Sequence, residues 1–396
     1  MASMTFGRTL RSEWLLDPDI TYLNHGTVGA TPRRVLDAQH AIVMEAERQP
    51  SRFQLRELTD HIVGQWRPDA PRIRKAANAV AAFVGVRGDD LVFVDNATTG
   101  VNAVMRSFPL APGDDVLVND LNYGACVNVA RFVTRERGAS LTVVQMPAVL
   151  RADTMADTIL AAVTPRTRLA LIDHVVPEAA VVLPVAAIAA RLKERGVAVL
   201  VDGAHAPGGI ALDVAALGVD YYVANLHKWA FVPRSSGFLW APPERQAGLH
   251  PPVISWGLDH GFTTEFDLVG TRDASAHLAA PAALAFIESF GLEAILAHNH
   301  ALVWQGARLL ADRWGTTFDT PESMIGSMAT VPLPESLGST KDDGARLRDW
   351  LLFEQHIEVG ISARNGRLHV RVAAQIYNDL ADFERLATAV ATRAGL

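Results

Sequence analysis

PVAAIAARLKERGVAVLVDGAH, residues 184–205, is the stretch on which the fold is read. Val185, Ile188, Ala189 and Leu192 fall at i, i+3, i+4 and i+7, the spacing of a helix with one core-facing stripe. Pro184 opens that helix, because a proline at its start gives up no needed N–H, and Gly196 closes it. The run that follows, residues 197–202, is Val-Ala-Val-Leu-Val-Asp: continuously apolar, short, and ended by a carboxylate. An amphipathic helix feeding a strand with no polar face is one unit of a parallel sheet covered on both sides.

The same alternation extends outward. Residues 91–95, 116–119, 141–145 and 169–173 read as further buried strands rich in Val, Leu and Ile. After about residue 275 the rhythm changes. Helical patterns over residues 276–290, 292–314 and 345–355 precede strands at 357–362 and 367–373 and a last helix from about Asp379. The expected organisation is a large α/β domain over residues 30–270 with a mostly parallel sheet, and a smaller α+β domain over residues 271–396. Residues 1–29 are expected to pack on the smaller domain. The Pro- and Gly-rich stretch 241–261 reads as a surface excursion, a kind of loop that often carries function.

Composition narrows the function. The 396 residues are 49% hydrophobic and 20% charged, which is neither a disordered tail nor a coiled coil. The net charge of −7 and the lack of any basic run argue against a nucleic-acid partner. Residues 179–190, the longest nearly apolar stretch, are too few to cross a bilayer and are broken by Pro184, so no membrane is expected. The N-terminus has no apolar core of signal-peptide type, and the single cysteine, Cys126, has no internal disulfide partner. A soluble cytoplasmic protein of enzyme size is the expectation.

Ligands of parallel sheets sit beyond the carboxyl ends of the strands. Those ends carry Asn96-Ala97-Thr98-Thr99-Gly100, Asn119 to Tyr123, Asp173-His174, Asp202-Gly203-Ala204-His205 and Asn225-Leu226-His227-Lys228. Of four lysines, Lys75, Lys193 and Lys341 have charged or polar-face settings. Lys228 stands between a strand-like run and Trp229-Ala230-Phe231-Val232, where desolvation turns an ammonium into a usable amine nucleophile. A lysine extending its charge from a buried loop is the competing reading. Asp202, at the end of a buried strand, needs a partner; a local N-cap and a ligand's protonated ring nitrogen both supply one. Thr98 and Thr99 at a helix start make an anion cradle, or an ordinary cap. Tyr123 is a candidate ring for stacking. No G-x-G-x-x-G follows a strand and no G-x-x-x-x-G-K-[ST] occurs, which argues against nicotinamide and P-loop nucleotide enzymes. A metal site of Asp202, His205 and His227, serving a metal-dependent hydrolase, ranks second by residue type, because it leaves Lys228 and the threonine turn unexplained.

Asp202-x-x-His205, Asn225-Leu226-His227-Lys228-Trp229 and the upstream Ala97-Thr98-Thr99-Gly100 turn together resemble the class V aminotransferase family, pyridoxal-phosphate enzymes of fold type I. Asn24-His25-Gly26, Tyr123-Gly124-Ala125 and His227-Lys228-Trp229 resemble its isopenicillin N epimerase-like branch. The resemblance implies that Lys228 carries pyridoxal 5'-phosphate and later moves the Cα proton of an amino-acid-like substrate. It implies that Asp202 pairs with the pyridine nitrogen, His205 contacts the phenolic oxygen, Ala204 lies under the ring and Tyr123 stacks on its other face. Thr98, Thr99, Asn225 and His227 are implied to hold the phosphate, and Thr271 to reach the phosphate of the partner subunit in a homodimer with shared active sites. Arg371 is implied to clamp the substrate carboxylate, with Asn24 and His25 beside the substrate. The branch suggests an epimerase or racemase needing acids on both faces, Lys228 on one and Tyr123 or His25 on the other. Lyase and aminotransferase chemistry are the alternatives within the family. Two departures stand out. Val175-Val176-Pro177-Glu178 replaces the small hydroxyl residues that the resemblance implies after Asp173-His174, and residues 360–369 lack the nucleophilic cysteine of cysteine desulfurases. Cys126 itself is expected to be a small buried hydrophobe.

Overall fold

The computed structural model describes residues 6–59 and 70–396. Its strands are β1 (Thr21–Tyr22), β2 (Leu91–Val94), β3 (Asp115–Asn119), β4 (Ser140–Val144), β5 (Thr167–Asp173), β6 (Ala198–Asp202), β7 (Tyr221–Asn225), β8 (Gly237–Trp240), β9 (Met328–Pro332), β10 (Ile357–Glu358), β11 (Gly360–Arg364) and β12 (Arg367–Ala373). Seven form the central sheet in the order β2-β8-β7-β6-β5-β3-β4. Every neighbouring pair there is parallel except the two that include β8. This is the α/β architecture with a mostly parallel sheet that the alternation implies. β2, β3, β6, β7 and β8 are buried along their whole length, as strands covered on both faces must be.

The opening stretch folds as read, with small shifts. The helix runs Val185–Lys193, and Val185, Ile188, Ala189 and Leu192 are its buried residues. Gly196, at φ 73°, turns the chain into β6. β8 is absent from the strands that the sequence pattern predicts; it enters antiparallel between β7, which closely precedes it, and β2, which lies about 145 residues away and gives no local signal. A Cβ at Gly237 would stand 2.4 Å from the Ala224 carbonyl oxygen, so the two strands close only over a glycine. β9 is a further strand beyond those the pattern predicts; it pairs antiparallel with β12 in the three-stranded sheet β11-β12-β9.

Apolar side chains pack on both faces of the central sheet and, separately, around the three-stranded sheet with the helices Leu292–Trp314 and Leu380–Ala394. β1 pairs with β10, and the Ala373 N–H donates to the Leu23 carbonyl at 2.7 Å, which ties the N-terminal segment to the C-terminal sheet. Val175, Ala180, Trp229, Met328 and Ala373 form a small apolar cluster of their own. Residues 241–261 contain one short helix, Pro243–Arg245, and expose Val253, Ile254, Trp256 and Leu258. Among the described residues no single helix is long and apolar enough to cross a membrane.

Candidate active site

The carboxyl ends of β5, β6 and β7 deliver Asp173, Asp202 and Asn225 to one edge of the sheet, with Asp173 and Asp202 side by side in register. The helix Ala97–Ser107 begins there after β2. Asn96 caps it by accepting from the Thr99 N–H at 2.9 Å. The Asn225 side-chain oxygen accepts the Ala97 N–H at 2.8 Å, fastening that helix start to the end of β7. A cavity of about 620 Å³ opens at this edge. Thr98, Thr99, Tyr123, Asp202, Ala204, His205, Asn225, His227, Lys228 and Arg371 line it, and so do Asp173, Asn102, Arg234 and Ser235.

At its floor, Lys228 Nζ lies 3.0 Å from His205 Nε2, and the Trp229 indole N–H donates to His205 Nδ1 at 3.4 Å. Burial lowers Lys228 to about 8, against the pull of the Asp202 carboxylate in the opposite direction. Burial holds His205 well below its ordinary range, so the ring is neutral. Asp202 accepts the Ala204 N–H at 2.9 Å and the Cys126 thiol at 3.2 Å. Its Ala204 contact is a local turn, not a helix cap. Asp173 accepts the Asn122 amide at 2.7 Å. Burial and the neighbouring Asp202 charge push Asp173 well above the carboxylate range, and burial raises Asp202 too, against the Ala204 N–H and the Lys228 charge that favour its carboxylate.

On the far wall Arg371 donates to the Pro177 carbonyl at 2.7 Å, to Asn24 Oδ1 at 3.3 Å and to the Thr27 hydroxyl. The Val175-Val176-Pro177 departure therefore contributes a backbone carbonyl to orient this arginine. Asn24 does not line the cavity; its amide donates to Glu358 at 2.8 Å.

His25 departs from expectation. It is fully buried, its Nδ1 accepts the Tyr377 hydroxyl at 2.8 Å, and its Nε2–H donates to the Lys228 carbonyl at 3.0 Å. Burial lowers it to about 4. It fixes the Lys228 backbone and does not face the cavity, so the place beside the substrate, or as an acid on the ring's second face, is not one it occupies here. Tyr123 stands at the rim, half exposed, just before the helix Gly124–Arg137. Thr271 lies outside the cavity, in a second hollow with Asp267, Gly270 and Arg272. Cys126 is buried as expected, but it is more than a spacer, since its thiol touches Asp202. Among the described residues no group of three or more His, Cys, Asp or Glu is placed to hold a metal ion, which removes the geometry of the metal-site reading. Asp173, named at its strand end but given no role, lines the cavity beside Asp202; Arg234 and the thiol contact are tertiary juxtapositions that no local pattern shows.

The aminotransferase class-V family model matches residues 22–345. The chain belongs to the class V aminotransferase family. It is 34% identical to a protein described as a probable chloroplastic L-cysteine desulfhydrase of Arabidopsis thaliana, over 94% of this chain and 83% of that one. It is 31% identical to the isopenicillin N epimerase of Streptomyces clavuligerus, over 96% of each. A solved cysteine desulfurase from Thermococcus onnurineus superposes with a TM-score of 0.80 at 20% identity over the full length of both chains, a likeness of fold. This is a pyridoxal-phosphate-dependent enzyme. The donor set fits that cofactor: a helix start lined with hydroxyls for a phosphate, a buried carboxylate for a ring nitrogen, and one amine of lowered basicity between them.

Proposed function

We propose that this enzyme is a C–S lyase, removing a β-sulfur substituent from a small α-amino acid. The observation that carries the reading is the burial of His25. An epimerase, the activity that the sequence ranks first, needs an acid on each face of the substrate, whereas elimination needs one base, and Lys228 is that base. The L-cysteine desulfhydrase relatives support the same reading.

Arg371, already oriented by Pro177, Asn24 and Thr27, takes the substrate carboxylate in a two-pronged contact. Thr98, Thr99, Asn225 and His227 would hold the phosphate, and Ala204 and Tyr123, on the same cavity wall and rim, would flank the ring. The bound cofactor supplies an electron sink for the carbanion at Cα, and Asp202 keeps its ring nitrogen protonated. Lys228 Nζ takes the Cα proton. The Cβ–S bond then breaks with its electron pair going to sulfur, and the proton on Lys228 returns to the leaving thiolate. The three-carbon remainder takes up water, giving a 2-oxo acid and ammonia, with no net oxidation. The absence of cysteine from residues 360–369, and the burial of Cys126 against Asp202, support release of free thiol over transfer to an enzyme sulfur.

The second reading is epimerisation with Tyr123 as the second acid, favoured by its place on the cavity rim and by the epimerase relatives. We also propose a homodimer in which Thr271 completes the neighbouring phosphate cradle. The exposure of Val253, Ile254 and Trp256, the last at 78%, supports a covered face there. The test is to measure 2-oxo acid and thiol release from a panel of β-thio amino acids alongside serine and alanine. Equimolar 2-oxo acid and thiol from a β-thio substrate supports the lyase; inversion at Cα with the side chain retained overturns it.

A further inference from the structure

We infer that Trp229 is a positioning residue that sets the tautomer of His205, and through it the protonation of Lys228. The argument is one of donors and acceptors. An indole nitrogen donates and never accepts, so the 3.4 Å contact from Trp229 Nε1 obliges His205 Nδ1 to present its lone pair. A neutral imidazole with a bare Nδ1 carries its proton on Nε2. That N–H points at Lys228 Nζ, 3.0 Å away, and the amine must then accept, which only its uncharged form does. The chain Trp229 N–H, His205 Nε2–H, Lys228 Nζ therefore runs in one direction. The opposite tautomer would offer Nε2 as an acceptor and favour the ammonium.

The backbone is arranged to keep this order. Trp229 is 1% exposed and packs with Val175, Ala180, Met328 and Ala373. Gly26 and Gly209 press against its ring; a Cβ at either would stand about 3.2 and 3.0 Å from it. Lys228 and Trp229 are consecutive, so one turn aims the amine at one ring nitrogen of His205 and the indole at the other. With cofactor bound, the same Nε2–H is the donor available to an anionic oxygen on the ring. The inference rests on the chain being a pyridoxal-phosphate enzyme and holds for elimination and epimerisation alike.

The test uses enzyme labelled with ¹⁵N-histidine, with and without pyridoxal phosphate, and His205 assigned by difference from His205→Gln. Multiple-bond ¹H–¹⁵N correlation reports the tautomer directly. His205 is expected as neutral Nε2–H in both forms at pH 9, above the Lys228 midpoint of about 8, where the amine can accept; an Nδ1–H ring or an imidazolium in the apoenzyme there overturns the inference. Trp229→Phe keeps an aromatic ring and removes the donor. Mixed tautomers are expected there, together with a rise of about one unit in the pH midpoint of cofactor capture. Asp202, Asp173, Arg371 and Cys126, the other groups that act on Lys228, are untouched in that variant. An unchanged tautomer and midpoint in a folded Trp229→Phe protein also overturns it. Loss of packing alone would lower thermal stability without moving either readout, and if that variant fails to fold, the wild-type tautomer still decides.

Discussion

Capture of the cofactor by apoenzyme should follow a titration centred near pH 8. Only the uncharged amine attacks the cofactor aldehyde, so the rate follows the neutral fraction of Lys228. With Lys228 lowered to about 8, roughly a quarter of it is neutral at pH 7.5, against about one part in a thousand for an ordinary lysine. That is about a 200-fold larger reactive population, partly offset because a less basic amine is a weaker nucleophile. The sign is fixed by the charge: below the midpoint the rate rises tenfold per pH unit, and above it the rate levels. Two variants move the midpoint in opposite directions. Asp202→Asn removes the negative charge that supports the ammonium and shifts it below 8; Arg371→Gln removes an opposing positive charge and shifts it above. Stopped-flow absorbance of apoenzyme mixed with pyridoxal phosphate from pH 6 to 10.5, with borohydride fixing of the product, gives the profile. A rate still climbing between pH 9 and 10.5 would refute the desolvated-lysine reasoning.

Arg371→Lys keeps the charge and loses the two-pronged contact, so KM for the amino acid should rise roughly 10- to 100-fold with kcat less affected, read by steady-state kinetics. Acid should destabilise the fold between pH 6.5 and 4. Burial lowers His25 and His174 to about 4 and His277 to about 3, so the unfolded chain binds protons that the folded one refuses, and stability falls as pH drops through that window. For fully buried His25 the loss approaches about 3 kcal/mol at pH 4, measurable by urea unfolding across pH. Gly29→Ala should cost at least about 2 kcal/mol and weaken cofactor retention, because Gly29 sits at φ 70° and a Cβ there would stand 1.9 Å from the His227 carbonyl oxygen.

The fold is legible where local pattern and burial agree. β5 and β6 are buried from end to end or nearly so, and their Val, Leu and Ile residues carry that burial in the sequence itself, while β7 carries it in Tyr221, Tyr222 and Val223. β8 is equally apolar, yet its place between β7 and β2 depends on a strand about 145 residues away, which no window contains. The cavity follows the same division. Lys228, Asp202 and His205 each follow a strand end, and the topology brings strand ends together, so their convergence is readable. His25 is not readable in that way. A histidine near the chain start looks like a ligand until the packing shows Tyr377 and the Lys228 carbonyl on its two nitrogens. The Cys126 thiol meets Asp202 across 76 positions, and only the fold makes that contact.

The proposal that one base acts on one face is tested most directly by running a single enantiomer of a β-thio amino acid to partial conversion in deuterium oxide. The expected result is thiol, 2-oxo acid and ammonia in equal amounts, with the unreacted substrate of unchanged configuration. Accumulation of the opposite enantiomer carrying deuterium at Cα, without release of thiol, would contradict it and move the second acid to Tyr123.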